Sequence, residues 1–205
     1  MKFSAAFEEK VARSESQEDR PLVSSYLNPP KIDAKKPARF ALLEEDPFIF
    51  YAVWCKEVSS DKNLKMRFSS KPSEKEVFTA LGKEYSWGTK WQSDERAPVK
   101  ETYAWPIYDY DNKMVRILEI DQFTIANAFR RLAGNKKYKP NLTFWDLSLY
   151  RVVTDGRTTY DLQVEPRDDE AEEAMEAAWK ETQKKGFNLQ ELITNGDPFN
   201  PGGEG

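Results

Sequence analysis

The chain has 205 residues, six of them Trp, and a formal net charge of −4. One cysteine and no histidine exclude an internal disulfide, a cysteine zinc site and the Ser-His and Cys-His nucleophile systems. Carboxylate-held Mg²⁺ chemistry stays open, but this composition favours a protein without catalysis and without a cofactor.

The first zone, residues 1–37, is polar and ends with three prolines. We predict an N-terminal arm that is helical near its start and extended later. Both charge signs occur among its first twenty residues, unlike the apolar region of a secretory signal. No stretch of the chain approaches the roughly 18 apolar residues of a membrane span. We therefore expect a cytoplasmic protein.

The second zone, residues 38–166, carries the β signals. Apolar runs and alternation predict strands over residues 47–55, 65–69, 85–91, 101–109 and 113–120. Pro106 interrupts the fourth of these, which indicates an edge strand or a bulge. Asp111 and Asn112 predict the tight turn of a hairpin. Asp109 and Asp111 are interpreted as part of this turn rather than as a metal pair.

A helix follows the hairpin, and a second hairpin follows the helix. Asp121 is a plausible N-cap and Gly134 stops the helix, while helical spacing is kept by the apolar residues Phe123, Ala126, Phe129 and Leu132. Strands over 143–153 and 158–165 flank a turn at Gly156. Together the elements predict a mainly β fold with α, namely an OB-fold-like five-stranded barrel with one inserted helix and a C-terminal helical extension.

The C-terminal zones are acidic. Residues 166–205 carry a net charge of −6, whereas residues 1–165 carry +2. Acidic residues in the first turns and basic ones in the last predict a helix over 168–185. Asn188 and Glu191 resemble the capping box of a short second helix. We assign 167–194 to C-terminal helices and 195–205 to a flexible acidic tail.

Aromatic side chains beside cations in the β zone predict a surface for single-stranded nucleic acid, because cations follow phosphates while rings stack on bases. The candidate residues are Lys65, Arg67, Phe68, Lys71, Trp87, Lys90, Trp91, Tyr103, Trp105, Tyr108 and Arg151. A second basic patch spans residues 130–139 at the end of the predicted helix.

Structural roles compete with each of these assignments. The rings near residue 87 could be loop aromatics that pack on the core, and alternating Tyr103 and Trp105 fit any half-buried strand. The Lys65 and Arg67 spacing also fits a solvated strand face. In the tail, Asp197, Pro198 and Phe199 form the candidate partner-binding segment, since an isolated aromatic on a disordered tail often binds a partner.

Two segments carry a family resemblance. Residues 104–109 (AWPIYD) with 113–120 (KMVRILEI), and residues 145–153 (WDLSLYRVV) with 155–166 (DGRTTYDLQVEP), resemble phage single-stranded DNA-binding proteins of the T-even helix-destabilising type. The resemblance covers roughly residues 85–166. That family holds a structural zinc through Cys and His, which this chain cannot do.

The resemblance implies an OB-fold that coats single-stranded DNA during phage DNA replication, recombination and repair. It further implies self-association through the N-terminal arm, and an acidic tail that recruits replication proteins such as a polymerase or a helicase. Two alternatives stay open. One is a protein-interaction or virion-associated module, and the other is a Mg²⁺-dependent nuclease.

Overall fold

A computed structural model describes residues 24–90, 92–138, 141–167 and 169–201. These residues form a curled, half-barrel sheet with a few helices. The strands are β1 (Tyr26–Leu27), β2 (Ala38–Leu42), β3 (Phe48–Glu57), β4 (Asn63–Phe68), β5 (Tyr85–Trp87), β6 (Lys100–Asp109), β7 (Met114–Ile120), β8 (Asp146–Thr154) and β9 (Arg157–Glu165). The helices are α1 (Glu74–Leu81), α2 (Phe123–Ala133), α3 (Asp169–Lys184) and α4 (Glu191–Thr194). In this part of the chain no helix has the length and apolar character needed to span a bilayer.

Strand β6 is the centre of the sheet. The main path runs β1-β7-β6-β2-β8-β9, and β3 joins β6 beside β2 and carries β4 and β5. Among the described strands, only β1 pairs in parallel, with β7. Two strands share one edge of β6: β3 pairs with residues 100–104 and β2 with residues 107–109.

Pro106 lies in the interval between these two partner strands. It pairs with Ile117 of β7 on the other side, and its carbonyl accepts a hydrogen bond from the Leu43 amide at 3.0 Å. The missing N–H therefore falls where neither β2 nor β3 needs it. The prediction that Pro106 marks an edge strand or a bulge is wrong, because β6 is a central strand. Pro106 lies in the interval between β2 and β3, which share one edge of β6.

The predicted strands, the mid-domain helix, the second hairpin and the long C-terminal helix are confirmed within a few residues. The described residues nevertheless contain nine strands rather than five, and α1 was not predicted. The helix caps also differ. Gln122 rather than Asp121 precedes α2, and Gln190 rather than Asn188 precedes α4, each without a side-chain cap.

The sheet is covered on both faces. On one face, Leu118, Ile107 and Leu147 pack with Ile125 and Phe129 of α2 in the largest apolar cluster. The opposite face holds two clusters, in which residues of β3, β6 and β7 contact α3 and the segment around α4. Helix α1 packs on the β3–β4–β5 extension. The groove described below opens on the α2 side.

The C-terminal segment packs on the sheet through residue 201, the last described. Leu192 is 1% exposed, Pro198 is buried, and the Phe199 ring lies 5.0 Å from that of Phe187. The Asn188 amide donates to the Pro198 carbonyl at 2.9 Å. The prediction of a flexible tail from residue 195 is therefore wrong for residues 195–201, because these apolar side chains find partners.

The arm prediction is also revised for its described part. Residues 26–27 add a strand to β7, and the buried Arg116 side chain fixes them by donating from Nε to the Ser24 carbonyl at 2.9 Å. Arg116 also pairs with Asp109 at 2.5 Å. Asp109 in turn accepts from the Asp111 and Asn112 amides, as the turn interpretation requires. Residues 1–23 lie outside the described part of the chain.

Candidate nucleic-acid interface

A groove of about 740 Å³ lies between the end of β6 and helix α2. Its size falls within the range of small-molecule sites, roughly 300–1,000 Å³. Two of the predicted stacking residues, Tyr103 and Trp105, line it. They project from β6 toward α2, because alternate residues of a strand face the same side.

Three rings form a nearly parallel stack in this groove. Tyr103 and Trp105 have ring centroids 6.2 Å apart with planes inclined by 24°, and Trp105 and Phe129 lie 5.0 Å apart at 17°. Trp105 is only 6% exposed, so both of its faces are occupied, and its indole N–H donates to the Glu45 carbonyl at 3.4 Å. The half-buried Tyr103 is the member of the stack that reaches solvent.

Helix α2 has two apolar faces. Ile125, Ala128 and Phe129 are buried against the sheet, whereas Phe123, Ala126 and Arg130 line the groove together with Asn127 and Ala133. The spacing 123, 126, 127, 130 and 133 places this second set on one side of the helix. Phe123 is 82% exposed, so packing within the described residues does not account for this large apolar ring at the rim.

Carboxylates and cations both line the groove. Glu45, Asp46 and Glu101 form no ion pair with any described residue, whereas Asp121 lies 3.2 Å from Lys65 and 3.9 Å from Lys100. Burial raises the pKa of the Tyr103 hydroxyl, and the neighbouring Glu101 charge raises it further. The ring stack is therefore neutral across the ordinary pH range and has negative charge beside it.

An unpaired group of cations follows the groove at the end of α2. Arg130, Arg131, Lys136 and Lys137 are exposed and pair with no described carboxylate. Arg130 donates a hydrogen bond to the side-chain oxygen of Asn127 at 3.2 Å. These four belong to the basic patch predicted over residues 130–139, whose Lys139 lies outside the described residues. Of the four, Arg130 lines the groove itself, together with Lys100 of β6.

Lys65 and Arg67 share one face of β4, as their spacing predicted, but they lie on the sheet face opposite the ring stack. Lys65 contacts Glu119 at 2.5 Å and Asp121 at 3.2 Å, and Arg67 contacts Glu119 at 3.1 Å. Both side chains are only 16% exposed. Their charge is neutralised within the chain, so the structure does not bring them to the candidate interface.

The aromatic loop after β5 is a packed hairpin. Trp87 is half-buried, donates to the Ala97 carbonyl at 2.8 Å and contacts the Phe78 ring edge at 5.2 Å. Lys90 pairs with Glu95, which lowers the pKa of that carboxyl. These contacts favour the interpretation of a ring that packs on the core. Trp91 lies outside the described residues.

The other predicted residues are scattered. Tyr108 is 3% exposed beneath α3, so it cannot stack on a base in this conformation. Phe68 is half-buried under α1, and Lys71 is exposed in the loop before it. Arg151 lies on β8 opposite Tyr160, and its nearest acceptor is the Ile32 carbonyl at 3.5 Å.

The candidate partner segment does not project from the molecule. Pro198 is buried, Phe199 packs on Phe187, and Asp197 accepts from the Phe199 amide at 3.0 Å. Only Asp197 of the three is exposed. The prediction that Phe199 is an isolated anchor is wrong, since its ring belongs to the cluster that covers the sheet.

The groove side of α2 was not predicted from the sequence. Phe123 was assigned to one apolar stripe with Phe129, although Phe129 is buried in the ring stack at the inner wall of the groove and Phe123 is exposed at its rim. The signal was present: Phe123 precedes Ile125 by two residues, which places them on different sides of a helix. Glu101 and Lys100 were also missed, because they lie in a polar stretch without a motif.

Comparisons add no relative from which a site could be transferred: no protein-family model, curated protein or solved structure matches this chain. Among the described residues, no three acidic or cysteine side chains form a cluster able to hold a metal ion. The groove and its charged surroundings are therefore the observations from which a function must be argued.

Proposed function

We propose that this protein binds single-stranded DNA without requiring a particular sequence and without catalysis. The observation that carries the proposal is the groove beside α2, whose lining includes exposed Phe123 and an aromatic stack that ends in half-buried Tyr103. Every base has a π-face, so rings of this kind stack on any base, with about 1–3 kcal/mol per stacked base.

The unpaired cations at the end of α2 support the same proposal. A strand whose bases enter the groove would meet Arg130 in its lining, and Arg131, Lys136 and Lys137 follow Arg130 closely along the chain. None of the four has a carboxylate partner among the described residues. Contacts between cations and phosphates release counterions and make affinity dependent on salt. The rings and Arg130, a cation without a described carboxylate partner, thus occur together in one groove.

The finer assignments rest on the resemblance. We propose that the half-barrel is an elaborated OB-fold, in which α2 is the helix between late strands. Its setting would be phage DNA replication, recombination and repair in the host cytoplasm. Replication proteins such as a polymerase or helicase would then dock on the C-terminal segment, where Asp197 is exposed. Self-association through the N-terminal arm is part of the same proposal.

The test is a titration of oligo(dT) monitored by Trp fluorescence. We expect quenching at low salt, because a base stacked on Tyr103 perturbs the adjacent Trp105, and affinity that falls steeply as salt rises. Absence of quenching and of any mobility shift at low salt would refute single-strand binding. The exposed Phe123 would then point to a protein partner.

Two variants locate the interface. Phe123→Ala should weaken binding about tenfold, the effect of losing one stacked ring. Phe144→Ala is its matched control, since Phe144 is 60% exposed and outside the groove lining. Equal affinities for the two variants would show that the groove is not the site.

Removing charge tests the phosphate path separately. Arg130→Gln with Arg131→Gln should reduce the slope of affinity against salt by about one for each phosphate that no longer meets a cation. Lys75→Gln with Lys83→Gln removes the same charge from exposed positions on and beside α1, and should leave the slope unchanged. Identical slopes for the two double variants would contradict the assignment of the α2 cations.

A further inference from the structure

The groove carries an excess of negative charge that binding of phosphate does not explain. Four carboxylates and the two cations Lys100 and Arg130 line it, and one of the carboxylates, Asp121, is already paired with Lys65 at 3.2 Å. Glu45, Asp46 and Glu101 have no cationic partner among the described residues, and all three are exposed. Phosphates are repelled from such a lining, since like charges at close range disfavour each other.

The carboxylates therefore constrain how a strand lies. Its bases occupy the groove while its phosphates remain outside, toward the cations at residues 130–137. Glu101 lies beside the Tyr103 hydroxyl, whose pKa its charge helps to raise. It also neighbours Tyr51 across the β3–β6 ladder, on the sheet face that bears Tyr103. A base stacked on Tyr103 would meet this carboxylate with its edge.

We propose that the groove prefers bases that carry an exocyclic amino group, and in particular cytosine over uracil or thymine. This inference rests on the proposed function and concerns the same site. Carboxylates only accept hydrogen bonds, and the cytosine N4 amino group is a donor suited to Asp and Glu. Uracil and thymine present a carbonyl oxygen at that position, which faces a carboxylate unfavourably.

Gln122 adds a further acceptor. It is among the residues that line the groove, and its side-chain oxygen is shielded from solvent and has no hydrogen-bond partner in the described structure. A buried acceptor without a partner is costly, so a rotation of this side chain that lets a bound base donate to it would relieve that cost. The lining contains donors as well, from Lys100, Arg130 and the amides of Asn127 and Asn141, but its exposed charged groups without a described partner beside Tyr103 are carboxylates.

The experiment compares oligo(dC) with oligo(dU) of equal length at mildly alkaline pH, where cytosine N3 is unprotonated. The two bases differ at position 4 and in the N3 proton, and neither has the thymine methyl group. We expect oligo(dC) to bind roughly tenfold more tightly, as for one good base contact. Oligo(dU) also separates this inference from the parent proposal, because it should still bind through stacking and phosphates.

Carboxylate variants assign the preference to the groove. Glu101→Gln with Asp46→Asn should bring the ratio of the two affinities close to one, since each amide can also donate to the uracil carbonyl. Glu84→Gln is the control, because Glu84 is exposed and outside the groove lining. Its ratio should equal that of the unmodified protein.

The outcomes are distinguishable. Equal affinities for oligo(dC) and oligo(dU) would overturn the base preference and leave single-strand binding intact. A cytosine preference that survives the double carboxylate variant would overturn its assignment to these residues. Binding of neither strand at low salt would refute the proposed function itself, and this inference with it.

Discussion

Asp146 offers a graded test of how the sheet is held to its C-terminal helices. Its side chain is fully buried. One carboxylate oxygen accepts from the Tyr110 hydroxyl at 2.6 Å and from Arg167 Nε at 3.2 Å, and the other accepts from Arg39 Nη2 at 2.7 Å. Arg167 directly precedes the region of α3, so this carboxylate joins β2, β8 and the entry to that helix.

Asp146→Ala removes all three hydrogen bonds. A hydrogen bond to a charged group contributes about 1.5–3 kcal/mol, and the Arg39 contact is discounted because that side chain is 38% exposed. The Tyr110 and Arg167 contacts then give a destabilisation of about 3 kcal/mol at the lower figure. Asp146→Asn retains an oxygen for those two donors and should cost about 1 kcal/mol, chiefly from the interaction with Arg39.

Urea unfolding monitored by Trp fluorescence measures both effects, and unchanged slopes show that the midpoint shifts report stability. Asp161→Ala is the control. Asp161 is exposed on β9 of the same hairpin and should change stability by less than about 0.5 kcal/mol. The reasoning is refuted if Asp146→Ala unfolds at the control's midpoint, or if Asn and Ala at position 146 are equally destabilising.

Three further predictions concern pH, packing and capping. Burial and the Asp146 contact raise the pKa of Tyr110 above its ordinary value of 10.0; the folded state therefore keeps a proton that the unfolded state loses, and stability should fall as pH rises above that value. Tyr110→Phe should make this fall shallower in urea midpoints measured across the range. Gly88→Ala should destabilise the folded protein by about 1–3 kcal/mol, since the added Cβ would lie 2.7 Å from the Trp54 carbonyl oxygen. Thermal scans should show that Gly134→Ala is tolerated, because a Cβ there would lie 3.4 Å from its nearest neighbour, the Arg130 carbonyl oxygen. Ser73→Ala removes the α1 capping box and should cost about 1 kcal/mol; a reduced helical signal without any change in unfolding midpoint would contradict that.

Long periodic elements were predictable because their own residues specify them. The alternation in β6, the hairpin turn before β7 and the charge gradient of α3 all appear in the sequence and in the structure. Helix α1 was predictable as well, since Ser73 and Glu76 form a complete capping box. Strand β2 was harder, because its five residues become a strand only through pairing with β6 and β8.

The candidate site was less predictable because neutralisation depends on distant residues. Lys65 and Arg67 share a face, as predicted, but Glu119 reaches both from a strand more than fifty residues away. Phe199 likewise packs on Phe187 through a turn that composition does not reveal. The local sequence identifies a cation or an aromatic ring. Only the fold shows whether another residue of the chain already pairs with that cation or packs on that ring.

Net charge is therefore a poor guide to where a polyanion would bind this molecule. The acidity of residues 166–205 suggested a nearly neutral body, yet that body contains cations neutralised by carboxylates and others without a partner among the described residues. The second group, Arg130, Arg131, Lys136 and Lys137, borders a groove whose own lining is acidic. Under the proposed function, a strand would satisfy both by turning its bases inward, so this arrangement would orient the bound nucleic acid. The same separation of charge is the reason that the proposed groove would discriminate base identity rather than phosphate number.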